Sequence, residues 1–164
     1  MDKIFLMAAF LTANGEVKSD AGKATVYWPG DGHCGTRKAD GSKFKKTDHH
    51  IAHRKIPLNT EGIICNLRTK KCISTVVKDR GPFGAIRKCK KGLPTPHAVA
   101  GKVFKARRIT WNGRCHYWQS QPYYLQKGFE YRGKFDLTKP VANAIKHRPF
   151  DKVVFVYKEM KHIN

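Results

Sequence analysis

Acidic side chains are scarce in this chain: 12 Asp and Glu stand against 33 Lys and Arg in 164 residues, a formal net charge of +21. Such a field attracts and steers anionic polymers and disfavours basic partners. No stretch is long and apolar enough to span a bilayer as a helix. The apolar run Ile4 to Leu11 has eight residues behind Lys3. It reads either as a short secretory core or as a buried strand, because Asp2 offsets Lys3 and the cleavage site is poor. No two cysteines stand at CxxC spacing, which excludes a zinc ribbon. Helix-turn-helix, zinc-finger and RNA-binding signatures are missing too, so nucleic-acid binding has net charge as its only warrant and is not expected. Internal repeats and low-complexity tails are absent. No metal and no cofactor is expected.

What is present suits one domain, with 40% apolar residues to fill a core. Short strand-like runs dominate. Ala24 to Trp28 ends at the turn signal Pro29-Gly30-Asp31-Gly32. Gly62 to Leu67 and Cys72 to Lys78 are rich in Ile, Val and Thr and read as a hairpin, and Asp151 to Tyr157 reads as a buried strand. Thr138 to His147 is the best helix candidate, with Thr138 as cap and Pro140 in the first turn. Ile51 to Lys55 reads as a short helical or turn segment. Short strands with one or two small helices suggest a small barrel. Residues 85–130 differ: Gly and Pro recur, periodicity is weak, and Phe104, Trp111, Tyr117, Trp118, Tyr123, Tyr124 and Phe129 are gathered there. A segment this long is either functional or separately folded.

The five cysteines are Cys34, Cys65, Cys72, Cys89 and Cys115. Cys65 and Cys72 flank the hairpin turn and face each other if the two strands pair. Cys89 and Cys115 bracket a loop-rich stretch that a bridge would staple. That pairing leaves Cys34 over, either free or bonded to another chain. Reduced, buried thiols are the alternative, because an odd count weakens any framework argument.

Five segments stand in order: Ala24-Thr25-Val26-Tyr27-Trp28-Pro29-Gly30, Ala39-Asp40-Gly41-Ser42-Lys43-Phe44, Ala52-His53-Arg54-Lys55-Ile56-Pro57, Val77-Lys78-Asp79-Arg80-Gly81-Pro82-Phe83, and Gly133 to Ala142 with Asp136-Leu137-Thr138 inside it. Together they resemble the rare lipoprotein A-like family, whose relatives include expansins and some lytic transglycosylases. The resemblance runs from Gly22 to about Phe83 and from Tyr131 to Tyr157. It implies a mainly β fold: a six-stranded double-psi β-barrel formed by residues 22–84 and 131–158, with a long insertion at 85–130. Residues 1–21 would form a separate N-terminal segment, a strand, an arm or a weak signal.

The resemblance also implies work on the glycan strands of peptidoglycan, by lytic transglycosylation. In that reaction the C6 hydroxyl of N-acetylmuramic acid attacks its own anomeric carbon while an acid protonates the leaving oxygen. A carboxyl of raised pKa suits the donor. Asp79 matches the family's acidic residue and is the candidate, although an Asp before Arg-Gly-Pro also organises turns. His53 matches a family His and would assist the acid or bind a sugar hydroxyl; a packed, hydrogen-bonded histidine is the alternative. His49 and His50 have no matched role. Asp136 reads as structural, a cap for the helix near Thr138. Where glycan-cutting members carry Glu, this chain has Ser42, whose hydroxyl is no carboxylate; Asp40 and Asp48 are possible substitutes. Thr12-Ala13-Asn14-Gly15-Glu16 looks like the intact motif but precedes the first strand, so it reads as a decoy. Tyr27, Arg80, Trp111 and Trp118 are candidate glycan contacts, though the insertion's aromatics equally suit the core of a stapled lobe or a protein-docking surface.

The expected partner is therefore anionic cell-wall glycan, with other assembly proteins second, and the expected location extracytoplasmic, in periplasm or wall, or on a bacteriophage virion. A non-catalytic glycan-binding or structural barrel is the alternative function, favoured by Ser42.

Overall fold

The computed structural model describes residues 15–31, 35–89, 106–111, 113–119 and 128–159. Its longest strand, β1 (Glu16–Tyr27), serves two partners. The first half pairs antiparallel with β10 (Lys152–Glu159), from Glu16 opposite Glu159 to Lys23 opposite Lys152. The second half pairs parallel with β9 (Phe135–Thr138), from Ala24 opposite Phe135 to Tyr27 opposite Thr138. With β2 (Ile51–His53), β3 (Glu61–Asn66) and β4 (Cys72–Asp79), these strands close a six-stranded barrel in the order β1-β10-β3-β4-β2-β9. The barrel confirms the fold expected from the five segments.

Two local readings are corrected. Residues 51–53 form a strand rather than a helix or turn, because Ile51 and Ala52 find partners on both sides, in β4 and β9. β1 starts at Glu16, eight residues before the strand read from Ala24, so residues 16–21 are barrel strand. Their alternation of small and charged residues carries no apolar signal, since β10 supplies backbone partners without burying them. Thr12 to Asn14 lie outside the described residues.

The barrel interior is Ala24, Ile51, Ile64, Val77, Phe135, Leu137, Val141, Ile145, Val153 and Phe155, all fully buried. Each large side chain of this set contributes about 1.5–3 kcal/mol on leaving water. Gly62 is required by packing: a Cβ there would lie 2.5 Å from the Phe155 ring and 2.4 Å from the Val156 carbonyl oxygen. The helix is short. α1 (Lys139–Ala144) has Pro in its first turn, sends Val141 and Ala142 into the core, and ends before Lys146, whose φ is 49°. Thr138, not Asp136, is its N-cap residue, and it makes no side-chain capping hydrogen bond.

The β3–β4 hairpin places Cys65 opposite Cys72, and the two are bridged. Cys89 and Cys115 are bridged as well. In the chain-entropy model the two bridges contribute about 2.5 and 3.5 kcal/mol respectively. The second joins strands of a separate four-stranded antiparallel sheet: β5 (Ala85–Lys88), β6 (Ala106–Trp111), β7 (Arg114–Gln119) and β8 (Glu130–Tyr131), in the order β6-β7-β5-β8. Arg54 ties the chain's exit from the barrel to its return, donating to the Pro82 carbonyl at 2.6 Å and the Gly133 carbonyl at 2.8 Å. Its guanidinium lies 3.9 Å from the Tyr131 ring centroid. Cys34 lies outside the described residues.

Candidate active site

Register decides which side chains share a face. Ile51 of β2 pairs with Val77 of β4 and Leu137 of β9, and all three point into the core. The next residue, Ala52, pairs with Asp136 and Asp79. Between the two pairs β2 advances by one residue and β4 by two, so Lys78 is an extra residue, a bulge. Bulges re-aim the side chains that follow them. Without it Asp79 would follow Val77 inward by simple alternation; with it Asp79 joins Ala52 and Asp136 on the outer face. Thr25 pairs with Asp136 and Tyr27 with Thr138, which extends this face onto β1. At ordinary strand spacing the Asp79 and Asp136 Cα atoms are about 10 Å apart.

A small outer cluster of Tyr27, Phe44 and Ala52 covers the face, with Phe44 supplied by the loop before β2. The Tyr27 hydroxyl lies 2.7 Å from His50 Nε2 and 3.3 Å from Asp79 Oδ2. His50 is fixed in turn by Thr138, whose hydroxyl donates to the His50 carbonyl at 3.0 Å and accepts its amide at 3.3 Å. Burial drives the His50 pKa down to about 4, so its ring is neutral near pH 7. A neutral ring lets the chain run in two senses. With Asp79 ionised, His50 Nε2–H donates to the Tyr27 oxygen and Tyr27 donates to Asp79. With Asp79 protonated, the carboxyl donates to Tyr27 and Tyr27 to Nε2.

The other oxygen of Asp79, Oδ1, accepts the Arg80 amide at 2.8 Å and the Ala39 amide at 2.9 Å. The second bond brings the Ala39-Asp40-Gly41-Ser42 turn to the acid. Burial raises the Asp79 pKa, the charge of Asp40 adds to it, and together they outweigh the amides and Tyr27. Asp79 is half-buried and ends its strand. Asp136 accepts from the Thr25 hydroxyl at 2.9 Å. Burial, reinforced by the charges of Asp31 and Asp79, lifts its pKa to about 7.

The remaining candidates fall elsewhere. His53 points to the core side of β2, its ring 5.0 Å from that of Phe135. Its Nδ1 accepts the Lys55 and Ile56 amides at 3.1 and 2.9 Å, and its Nε2 lies 3.0 Å from Asp20. The structure does not bring it to Asp79. Arg80 spends its guanidinium on the His53 and Ile56 carbonyls, at 3.1 and 2.6 Å. Asp40 accepts the Ser42 hydroxyl at 2.5 Å and its amide at 2.9 Å, with Lys78 at 3.4 Å. Asp48 takes Lys38 at 2.8 Å and the Lys45 amide at 3.0 Å. Partial burial works against the ionised form at both, but these donors win and leave both pKa values lowered. Trp118 packs against Gly84, where a Cβ would lie 2.3 Å from its ring, and under the Arg132 guanidinium at 5.0 Å. It anchors the second sheet beside the segment that follows Asp79. The Trp111 side chain lies outside the described residues.

His50 has no place in the matched segments and Asp136 reads from sequence as a cap. Register is what makes both part of the site, and its only trace in the sequence is the alternation of Ile51-Ala52 and Phe135-Asp136-Leu137.

No protein-family model matches the chain. Two curated relatives are similar to it, both named probable endolytic peptidoglycan transglycosylase RlpA. That of Synechocystis sp. is 38% identical over 56 residues, 34% of this chain and 17% of the relative. That of Nostoc sp. is 36% identical over 62 residues, 38% of this chain and 17% of the relative. The matches thus span about one sixth of the length of these relatives. Joined to the closed six-stranded barrel, this likeness supports a barrel similar to that of the rare lipoprotein A-like proteins.

Proposed function

We propose that the protein is directed at peptidoglycan and cuts its glycan strands by lytic transglycosylation, with Asp79 as general acid. The observation that carries this reading is the setting of Asp79: a carboxyl of raised pKa, on the outer barrel face, gripped on one oxygen by two amides and on the other by Tyr27. The likeness to two named transglycosylases supports it. Two bridged cysteine pairs suit an oxidising, extracytoplasmic setting.

One carboxyl is enough to balance the reaction. Asp79 gives its proton to the glycosidic oxygen of N-acetylglucosamine as the bond to the muramic anomeric carbon breaks. The muramic C6 oxygen then bonds to that carbon, and its proton passes to the carboxylate just formed. The acid is regenerated and no water is consumed. The Tyr27 hydroxyl serves either state, donating to Asp79 when it is ionised and accepting from it when it is protonated. Ser42 therefore removes a helper rather than the reacting group. Asp136, on the same face, is itself kept protonated by burial and by the charges of Asp31 and Asp79.

A second reading is a barrel that holds glycan without cutting it. Ser42 favours this, since the family's Glu is missing there and the nearby Asp40 is engaged by Ser42 and Lys78. Digestion of purified sacculi separates the two. Release of 1,6-anhydro-muramic products by the protein and none by Asp79→Asn is the result expected. No release from either native or peptide-stripped glycan by the folded protein leaves the binding barrel.

A further inference from the structure

Trp28 follows Tyr27 directly, and its indole is exposed. Lys139 Nζ sits 4.0 Å from the ring centroid. Trp28, Pro29, Gly30, Lys46 and Lys139 line one surface depression. Its walls come from the elements that build the acid site. Trp28 continues β1 beyond Tyr27. Lys139 succeeds Thr138, which pairs with Tyr27 and holds His50. Lys46 lies in the loop that carries Phe44 and His50. Asp31 links the two places, accepting the Trp28 amide at 3.3 Å while its charge helps raise the Asp136 pKa.

An exposed indole beside two lysines, with no carboxylate among the described residues that line the depression, suits a ring with one apolar side and one negative group. A sugar ring packs against the exposed part of the indole, and a carboxylate on it meets Lys46 and Lys139. Position favours a saccharide over a nucleic acid, because the elements that line the depression are those that hold the acid assigned to strand cleavage. We propose that Trp28, Lys46 and Lys139 form a subsite for a carboxylate-bearing sugar of the strand, next to the bond presented to Asp79. The inference rests on the glycan reading and adds a specificity for acidic over neutral saccharide.

The test is binding by the full chain carrying Asp79→Asn, titrated calorimetrically at one fixed ionic strength. One ligand is peptide-stripped glycan oligomer, whose muramic units carry a lactyl carboxylate; the other is an N-acetylglucosamine oligomer of equal length. Roughly tenfold tighter binding of the acidic oligomer is expected. Lys46→Gln with Lys139→Gln should erase that preference and leave the affinity for the neutral oligomer. Trp28→Ala should weaken both roughly tenfold, and Trp28→Phe, which keeps a ring and guards against a folding artefact, should retain most of the affinity. Equal affinities in the starting protein, a preference that survives the double substitution, or displacement of the glycan by single-stranded DNA at lower concentration would each overturn the subsite. Sacculus digestion by the unsubstituted protein is read separately, so loss of cleavage with preference intact sinks the transglycosylase reading and spares this one.

Discussion

His50 and His53 stand three residues apart, at either end of the short strand β2, and do opposite work. His50 is tied by backbone to Thr138 and aims its ring outward, behind Tyr27 and Asp79. His53 turns inward, accepts two amides of the loop after β2, and meets Asp20 of β1. One ring can pass a proton relay's polarity along; the other is consumed on all sides in closing a barrel corner. The matched motif contains the inward histidine, whereas the geometry puts the outward one at the acid. What separates them is the face of β2, set by its own alternation, and the bulge in β4 puts Asp79 on the face of His50.

Removing the acid sharpens this contrast most. General acids contribute roughly 100- to 10,000-fold, so Asp79→Asn should cut the rate of anhydro-product release by at least about 100-fold. The fold should not suffer. An Asp whose folded pKa lies above its unfolded value favours the native state only while protonated, and this benefit is gone above the folded pKa. At pH 7 the Asn variant should therefore melt no lower than the parent. A lower melting temperature with residual cleavage would return Asp79 to a turn-holding role.

Asp136 supplies the next largest effect, on stability. Its pKa rises to about 7 in the folded protein, against about 3.9 in an unfolded chain. Its stabilising contribution is fully present below about pH 4 and is lost as pH rises through 7. Relative to Asp136→Asn, the parent should lose on the order of 3–4 kcal/mol across that window. Paired denaturation curves from pH 4 to 8 measure the difference directly, and cancel the opposite trend from carboxylates held low, such as Asp151 beside Arg68. Parallel curves would mean that the carboxyl stays ionised throughout.

The inward histidine should matter to stability alone. His53→Phe keeps the ring against Phe135 but strands the Lys55 and Ile56 amides, at a cost of about 2–4 kcal/mol. Cleavage by the folded variant, assayed well below its melting temperature, should stay within about threefold of the parent. A hundredfold loss without a change in melting would move His53 into the chemistry.

Much of the barrel was legible because β3, β4 and β10 are short runs rich in Ile, Val and Thr, and because the turn chemistry between Asn66 and Lys71 aligns Cys65 with Cys72. The first half of β1 was not, since Glu16 to Lys23 gains backbone partners but little burial. The helix over 139–144 stops short of His147 because Lys146 takes a positive φ, which nothing in its residue type announces. At the site, Asp79 and Tyr27 could be picked out from their segments. Their company could not: a bulge at Lys78 has no signature, and the meeting of His50 with Tyr27 joins residues 23 apart through the third strand, β9.

The smallest effect tests the relay itself. Tyr27→Phe keeps the ring on Phe44 and removes one hydroxyl from between His50 and Asp79. A hydrogen bond to a charged group is worth about 1.5–3 kcal/mol, and a neutral one about 1; at 3.3 Å the lower figure applies, so cleavage should fall roughly fivefold. The pH profile distinguishes this from simple damage. Asp79 must be protonated to act, so activity declines as pH rises through its pKa. The Tyr27 bond favours the ionised form and lowers that pKa, so its removal should carry the alkaline limb to higher pH. His50 is neutral above about pH 4 and should add no limb in the working range. If the limb stays in place while activity drops, Tyr27 acts by packing or by touching substrate, and the two corners of β2 differ less than their hydrogen bonds suggest.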